Sequence, residues 1–350
     1  MLRRRSTGIL LGAALVAATA GSAIAATGKN APKKPAPASA SAAIVPAGKI
    51  EINGDVAQPT TLKFSELAIL PQQTISVVIN GVTHKESGPY LESVLKLAIP
   101  NYAACSKNNL LRWSALVTSS NGDATVLGVG EVDPGFGNRQ AILSISQDGS
   151  FLTAHGPRLI VPGDGSPARD LTRVVMVTAG MAAPQLPIAG CPATTAAITP
   201  TIGSLIVNGA VANPTTYSFA QLQALPQVTQ TVSFLSGTTP TTNTETGPLL
   251  ATILAAAQPK FKTTCANDEL RFYVEITGSD GYASILSYGE IDPALGNRAP
   301  VVSLAENGSS LAKSGPRILQ AGDVKGGRAV SGVVADTVVR VPPTVPVAGC

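Results

Sequence analysis

The chain has 350 residues, of which 44% are apolar and 13% charged; this composition excludes a disordered protein, and the length allows two domains of ordinary size. The formal charge of +4 arises at the N-terminus, because 19 basic residues face 21 acidic ones after residue 48, so bulk charge does not support a nucleic-acid-binding protein. Beyond the N-terminus no apolar run reaches 18 residues, and we expect no membrane span in the mature chain.

Residues 1–25 are typical of a secretory signal peptide. Three arginines precede the apolar stretch Gly8–Ala20, and Ala23–Ala25 is a small-x-small cleavage site. An N-terminal anchor helix is the alternative, and an arginine pair leaves the twin-arginine export route open. Residues 26–47 are rich in Ala, Pro, Ser and Lys, which indicates an extended linker. We therefore expect an exported protein, periplasmic or extracellular.

Short strands and helices are predicted in the following segment, residues 48–191. Helical spacing of apolar residues occurs in Ser65–Leu70 and in Tyr90–Ala98, and Asn121-Gly122 is a hairpin signal between two strands. This pattern indicates a strand-dominated α+β domain. The predicted strands are Ile50–Asn53, Thr74–Ile79, Leu111–Thr118, Ala124–Gly128, Ala141–Ile145, Arg158–Val161 and Leu171–Thr178.

The same pattern returns in residues 203–350, because the sequence repeats itself at an offset of 155 residues that becomes 159 after the first hairpin. A period of this length is a whole domain rather than a solenoid unit. Residues 192–202, rich in Thr, Ala and Pro, are the predicted linker between two tandem α+β domains. The clearest matches are Gly130–Pro134 with Gly289–Pro293, Gly137–Arg139 with Gly296–Arg298, and Gly156–Arg158 with Gly315–Arg317.

The four cysteines follow this repeat. Cys105 and Cys191 belong to the first domain, and Cys265 and Cys350 to the second. Of the three possible pairings, the duplication favours the one with a disulfide inside each domain, each closing a loop of about 85 residues. Free or metal-binding thiols are the alternative, which no CxxC spacing supports.

The residues with binding chemistry also recur. The sequence has no P-loop, no nucleophile elbow and no zinc-ligand pattern, and we predict no catalytic and no metal-ligating residue. A Gly-Pro-Arg, a Gly-Asp and a further arginine appear in both domains, and such arginines can bind a carboxylate or phosphate. In the structural interpretation, which the residues alone favour, the aspartate pairs with the arginine and holds a loop. These residues are Arg158, Asp164 and Arg169 in the first domain, and Arg317, Asp323, Lys325 and Arg328 in the second.

The order of the motifs resembles the sulfite oxidase-type molybdopterin-binding domain family in its short exported form. Both domains carry Asn-Gly, Pro-Thr-Thr, a helix followed by Leu-Pro, and Gly-Pro-x-Leu; the second adds Ser-Asp-Gly-Tyr at Ser279–Tyr282. The resemblance covers nearly all of Gly48–Ala179 and Gly203–Val341, and it implies two tandem sulfite oxidase-like domains.

The sequence departs from this family at the metal. Catalytic members place a molybdenum-binding cysteine at the end of the strand before the Gly-Pro-x-Leu helix, whereas the matching stretches Ser76–Gly81 and Ser233–Gly237 contain none. The resemblance without this cysteine favours an exported non-catalytic protein that acts as a binding or structural module without a cofactor. The alternative is a periplasmic molybdopterin-dependent oxidoreductase whose metal is held by the pterin alone.

If a binding cleft is retained, the resemblance favours the second domain. In the family these motifs lie on loops that border the pterin-facing side, so we expect the corresponding residues here to converge. The first domain lacks the tyrosine and the lysine that the second has. Expected partners are a small anionic ligand or an envelope protein. The candidate ligand-binding residues of the second domain are Asp280, Tyr282, Glu290, Arg317, Asp323, Lys325 and Arg328.

Overall fold

The computed structural model describes residues 48–79, 81–153, 155–188, 191 and 195–345. The predicted signal peptide and linker, residues 1–47, lie outside the described residues, as does Cys350. None of the described helices is long and apolar enough to cross a bilayer. We call residues 48–188 the first half and residues 203–345 the second half.

The first half is rich in strands and has few, short helices, an α+β arrangement. Its helices are α1 (Phe64–Ala68), α2 (Leu91–Lys96) and α3 (Val129–Val132), with 3-10 turns at Asn109–Arg112 and Pro167–Arg169. Its strands are β1 (Lys49–Gly54), β2 (Thr60–Lys63), β3 (Gln73–Ile79), β4 (Val82–Gly88), β5 (Trp113–Ser119), β6 (Ala124–Gly128), β7 (Ile142–Ser144), β8 (Ser146–Gln147), β9 (Ser150–Phe151), β10 (Arg158–Ile160) and β11 (Val174–Met181).

The second half repeats this succession. Its helices are α4 (Phe219–Gln223), α5 (Leu250–Ala257) and α6 (Tyr288–Ile291), with 3-10 turns at Asp268–Arg271 and Gly326–Arg328. Its strands are β12 (Ser204–Gly209), β13 (Thr215–Ser218), β14 (Val228–Ser236), β15 (Thr239–Gly247), β16 (Phe272–Gly278), β17 (Ala283–Ser287), β18 (Val301–Ser303), β19 (Ala305–Glu306), β20 (Ser309–Ser310), β21 (Arg317–Leu319) and β22 (Val333–Arg340).

The strands of the two halves have the same order in their sheets. The first half has a five-stranded sheet β2-β1-β11-β5-β6, a four-stranded sheet β3-β4-β8-β9 and a β10-β7 pair. The second half has β13-β12-β22-β16-β17, β14-β15-β19-β20 and β18-β21. In each five-stranded sheet the first strand of the half pairs in parallel with the last strand, β1 with β11 and β12 with β22. The other pairs of these sheets are antiparallel.

Alternating side chains explain why β5 is buried on both faces. Trp113, Ala115 and Val117 pack in the core of the first half, whereas Leu116 points to the opposite face of the sheet. There it joins a smaller cluster to which the second half contributes residues such as Tyr273. The halves therefore share an apolar contact in addition to their own cores.

Reciprocal hydrogen bonds also join the halves. Gly165 N donates to Leu295 O at 2.8 Å, and Val324 N donates to Phe136 O at 2.7 Å. Residues 165 and 324 are 159 positions apart in the sequence, as are residues 136 and 295, so each half gives the other the same bond.

Two predicted strands begin later than expected. The strand predicted at Leu111–Thr118 is β5, which begins at Trp113 because Leu111 lies in a 3-10 turn. The strand predicted at Leu171–Thr178 is β11, which begins at Val174. Leu171 instead forms an isolated bridge with Leu159, and Arg173 has a φ of 55°, in the left-handed region, which interrupts an extended chain.

Candidate functional site

A cleft of about 570 Å³ lies where the two halves meet, and we call it the inter-half cleft. Of the predicted ligand-binding residues it is lined by Asp280, Tyr282, Arg317 and Lys325. The first half contributes residues that the sequence analysis did not select: Lys107, Asn108 and Phe136.

A long hairpin forms one wall of the cleft. The strands β14 and β15 have nine residues each, whereas β3 and β4 have seven. The extra length carries Phe234 and Leu235 to the loop before the last 3-10 turn, where Leu235 N donates to Val324 O at 2.9 Å. The insertion that changes the repeat offset from 155 to 159 therefore builds this wall.

Two glycines allow aromatic rings to approach the backbone of the cleft. A Cβ added at Gly326 would lie 2.6 Å from Phe234 Cε2, and one at Gly327 would lie 2.3 Å from Phe136 Cε1. Any side chain at these positions would displace a ring. Phe234 belongs to the second half and Phe136 to the first, so both halves pack against this loop.

Tyr282 connects the halves through its hydroxyl. Asn108 Nδ2 donates to the Tyr282 hydroxyl at 3.1 Å, and that hydroxyl donates to Gly327 O at 2.5 Å. Burial raises the pKa of Tyr282, although the Asn108 amide opposes this shift. The phenol is therefore a neutral hydrogen-bonding group at neutral pH.

The two lysines of the cleft differ from its arginine. In the part of the chain that the structure describes, neither Lys107 nor Lys325 is in an ion pair, and both side chains are exposed. Arg317, in contrast, donates to Glu306 Oε1 at 2.7 Å, lies 3.6 Å from Glu245 Oε1 and stacks over the Phe234 ring at 5.8 Å. Its charge is already matched, so the lysines are the cations available to a ligand.

Glu290, Asp323 and Arg328 do not line the cleft. Arg328 Nη2 donates to Glu290 Oε2 at 2.7 Å, and its Nε donates to Asp323 Oδ2 at 3.1 Å; all three side chains are buried. Burial raises the pKa of Glu290 to about 7, with Arg328 acting against this shift. Arg328 is therefore engaged with its two carboxylates rather than with the cleft.

The first half has a matching group. Arg169 pairs with Glu131 at 2.6 Å and with Asp164 at 2.5 Å, again buried. We call these six residues, together with Ser287, the buried ion cluster. Ser287 Oγ of the second half donates to Glu131 Oε2 of the first at 2.8 Å. The Arg169 side chain of the first half also packs against the second half, because a Cβ added at Gly289 would lie 2.4 Å from Arg169 Cδ.

The remaining predicted residue, Arg158, lies on a smaller pocket of about 210 Å³ in the first half. It donates to Glu86 Oε1 at 3.0 Å, as its counterpart Arg317 does to an acidic neighbour. Of the predicted disulfides, the structure contains Cys105–Cys191. The second pair, Cys265–Cys350, includes a residue outside the described ones and stays a prediction.

The residues do not fit a molybdenum ion ligated by this chain. Such a ligand would be a soft thiolate. The strands β3 and β14 contain no cysteine, and Cys105 and Cys191 are consumed by their disulfide. Within the described residues there is also no group of three or more His, Cys, Asp or Glu placed to hold a metal.

No protein-family profile matches this sequence, and no curated protein matches it either. Among solved structures the chain is similar to the sulfane dehydrogenase SoxCD from Paracoccus pantotrophus, at 12% sequence identity and a TM-score of 0.30, over 81% of this chain and 77% of that chain. The likeness is distant, and it assigns neither a substrate nor a cofactor to this chain.

Proposed function

We propose that this chain is an exported, non-catalytic protein with two tandem sulfite oxidase-like domains, and that it binds a small organic anion in the inter-half cleft. The repeated motifs and the same strand order in both halves support the tandem domains. The Cys105–Cys191 disulfide supports an oxidising compartment, where such bonds persist.

The observation that carries the proposal is the pair of lysines in the cleft. Lys107 and Lys325 face a concave space of about 570 Å³, a volume in the range of small-molecule sites. Neither ammonium group has an acidic partner within 4.0 Å among the described residues. Two unmatched cations beside aromatic rings attract an anion with an organic skeleton.

The absence of a thiolate supports a binding role over catalysis. A metal centre needs ligands that are held in place by the protein. Neither Ser76–Ile79 nor Ser233–Gly237 offers one, and the residues that resemble the family's pterin-facing motifs are partly consumed in the buried ion cluster.

The test is a thermal-shift panel of small organic anions on the mature protein at fixed ionic strength. We expect at least one anion to raise Tm, by an amount that grows with the logarithm of its concentration above the Kd. The Lys107→Ala, Lys325→Ala double variant should keep the Tm of the free protein and lose the shift. Lys313→Ala, an exposed lysine outside the cleft lining, is the matched control and should keep it.

Elemental analysis separates this proposal from the oxidoreductase alternative. We expect no stoichiometric molybdenum in protein purified from its native host. About one molybdenum per chain, or sulfite-dependent reduction of an electron acceptor, would support the alternative and overturn the non-catalytic role.

A further inference from the structure

We propose that the ligand of the inter-half cleft is an organic dicarboxylate, with one carboxylate bound by Lys107 and the other by Lys325, so that the bound ligand links the two halves. This inference rests on the proposed function and names its ligand class. It assigns a binding role to Lys107, which lies in the first half although most of the cleft belongs to the second.

Lys107 is carried by a loop that is held at several points. Cys105, two residues earlier, is bonded to Cys191. Two residues later, Asn109 Oδ1 accepts hydrogen bonds from Ala103 N at 2.8 Å and from Trp113 Nε1 at 2.9 Å. The backbone that presents the Lys107 ammonium is therefore fixed to the first half.

Lys325 approaches the cleft from the second half and reaches toward the first. A Cβ added at Gly135, in the first half, would lie 3.9 Å from Lys325 Nζ. The nearest carboxylate of that turn, Asp133, accepts a hydrogen bond from Gly135 N at 2.7 Å and makes no ion pair with Lys325. The two ammonium groups thus come from separate loops on separate halves.

The two cations without an acidic partner match a dianion. The charged side chains that line the cleft are Lys107, Lys325, Arg317 and Asp280, and of these only the two lysines are cations without an ion pair to another described residue. Arg317 is held by Glu306 and does not compete for the ligand. A single carboxylate would leave one lysine unmatched, whereas two carboxylates neutralise both cations that lack a partner.

The walls favour a carbon skeleton between the two carboxylates. Phe234, Phe136 and Tyr282 present ring carbon around the glycine backbone of the loop. Contact between these rings and the methylene groups of a ligand is favourable, because apolar surface of both is removed from water. An inorganic anion would leave the rings exposed to water, so the geometry points to an organic diacid.

Calorimetry on the mature protein tests the inference with succinate, glutarate and adipate, each compared with its own monomethyl ester, which keeps the skeleton and removes one charge. We expect at least one diacid to bind about tenfold tighter than its ester, since a charge-assisted hydrogen bond is worth about this factor. Lys107→Ala and Lys325→Ala should each abolish the preference, Lys107→Arg and Lys325→Arg should retain it, and Lys313→Ala should leave it unchanged.

The outcomes distinguish this inference from the proposed function. If a diacid and its ester bind equally and Lys325→Ala weakens both, the cleft binds one anionic group, and the dicarboxylate proposal is overturned while the proposed function stands. A preference that persists in Lys107→Ala would show that the second carboxylate is not bound by the first half. If no organic anion binds at all, both proposals are overturned.

Discussion

The inter-half cleft and the smaller pocket of the first half occupy equivalent places in the fold but differ nearly threefold in volume, about 570 against 210 Å³. The smaller pocket is lined by Asn121, His155, Arg158, Thr172 and Arg173, and three of these have counterparts 159 residues later on the cleft, at Asp280, Arg317 and Ser331. The difference therefore arises from the length of one hairpin and from loop residues, and not from the order of the strands.

Three local changes account for it. The hairpin of β3 and β4 is shorter and lacks the part that, in the second half, places Phe234 over Gly326. Asp123 stands where Tyr282 connects the halves, and Arg173, with its φ of 55°, fills the position of Gly332. Two halves with one strand order thus differ in cavity volume through one hairpin and a few loop residues.

The largest effect is expected on removing the first-half disulfide. The Cys105→Ser, Cys191→Ser double variant should lose about 4–5 kcal/mol of the free energy of unfolding, measured in urea, because the unfolded chain is no longer constrained by a long loop. It should also bind anions more weakly, because Lys107 is two residues from Cys105. The comparison is the same double substitution in the second predicted pair, Cys265–Cys350.

Peptide mapping without reduction checks the assignment on which this comparison depends. We expect to recover Cys105–Cys191 and Cys265–Cys350 as linked peptides. A crossed pair such as Cys105–Cys265 would contradict the assignment of one disulfide to each half.

The buried ion cluster should respond next in magnitude. Arg328→Ala leaves Glu290 buried without its ion-pair partner and Asp323 paired with Arg298 alone, which is expected to cost about 3–5 kcal/mol in the free energy of unfolding. Arg169→Ala, its counterpart, should cost a similar amount. At a temperature where the variants are folded, anion binding should persist; a stable Arg328→Ala protein that no longer responds to anions would instead assign Arg328 to the ligand site.

Asp336 marks a difference between the two cores. It is fully buried on β22 opposite Ile276, and neither of its carboxylate oxygens has a hydrogen-bond partner among the described residues. The equivalent residue of the first half is Val177. Asp336→Val should therefore stabilise the protein by about 1–3 kcal/mol at neutral pH, because a buried polar group without a partner is removed.

The destabilisation caused by Asp336 should depend on pH, and the same variant tests the direction of that dependence. Burial raises the pKa of Asp336 to about 8 in the folded protein, against about 3.9 in an unfolded chain. The wild type should thus be most stable with respect to this group below about pH 4 and lose stability progressively as the pH rises to about 8. Unfolding of Asp336→Val between pH 5 and 9 should lack this loss; parallel curves for the two proteins would contradict the prediction.

The smallest effect is expected at Tyr282. Tyr282→Phe removes the hydroxyl that bonds Asn108 and Gly327, and it should lower the free energy of unfolding by about 1 kcal/mol. Tyr217→Phe is the control, because the Tyr217 hydroxyl makes no hydrogen bond to another described residue. Equal effects of the two substitutions would show that the Tyr282 hydroxyl does not tie the halves together.

The sequence predicted the apolar elements of the fold well and the polar ones poorly. The strands that became β5 and β6 and the helix that became α2 were visible because apolar residues recur at strand or helix spacing. The strand β15 was not predicted, because its nine residues are mostly threonine and other polar types whose partner strands supply the burial. Such a strand is specified by its neighbours rather than by its own pattern.

The site was predicted in part for a related reason. Tyr282 and Lys325 were chosen from motifs of the second half, and both line the cleft. Lys107 and Phe136 were missed, because their role depends on how one half packs on the other, which no local pattern encodes. The repeat did contain a signal: Gly130–Arg139 and Gly289–Arg298 match closely in sequence, and these are the segments through which the halves contact each other.

The reciprocal bonds Gly165–Leu295 and Val324–Phe136 have the form of an isologous interface, in which residue i of one protomer contacts residue j of the other and the reverse. In a homodimer of identical chains any change in one protomer occurs in both. Because a single chain carries both sides here, Tyr282 and Asp123 can differ at equivalent positions, and Lys325 can face a first half that has Ser166 instead. Covalent linkage thus permits one asymmetric cleft where a symmetric dimer would have two equivalent ones.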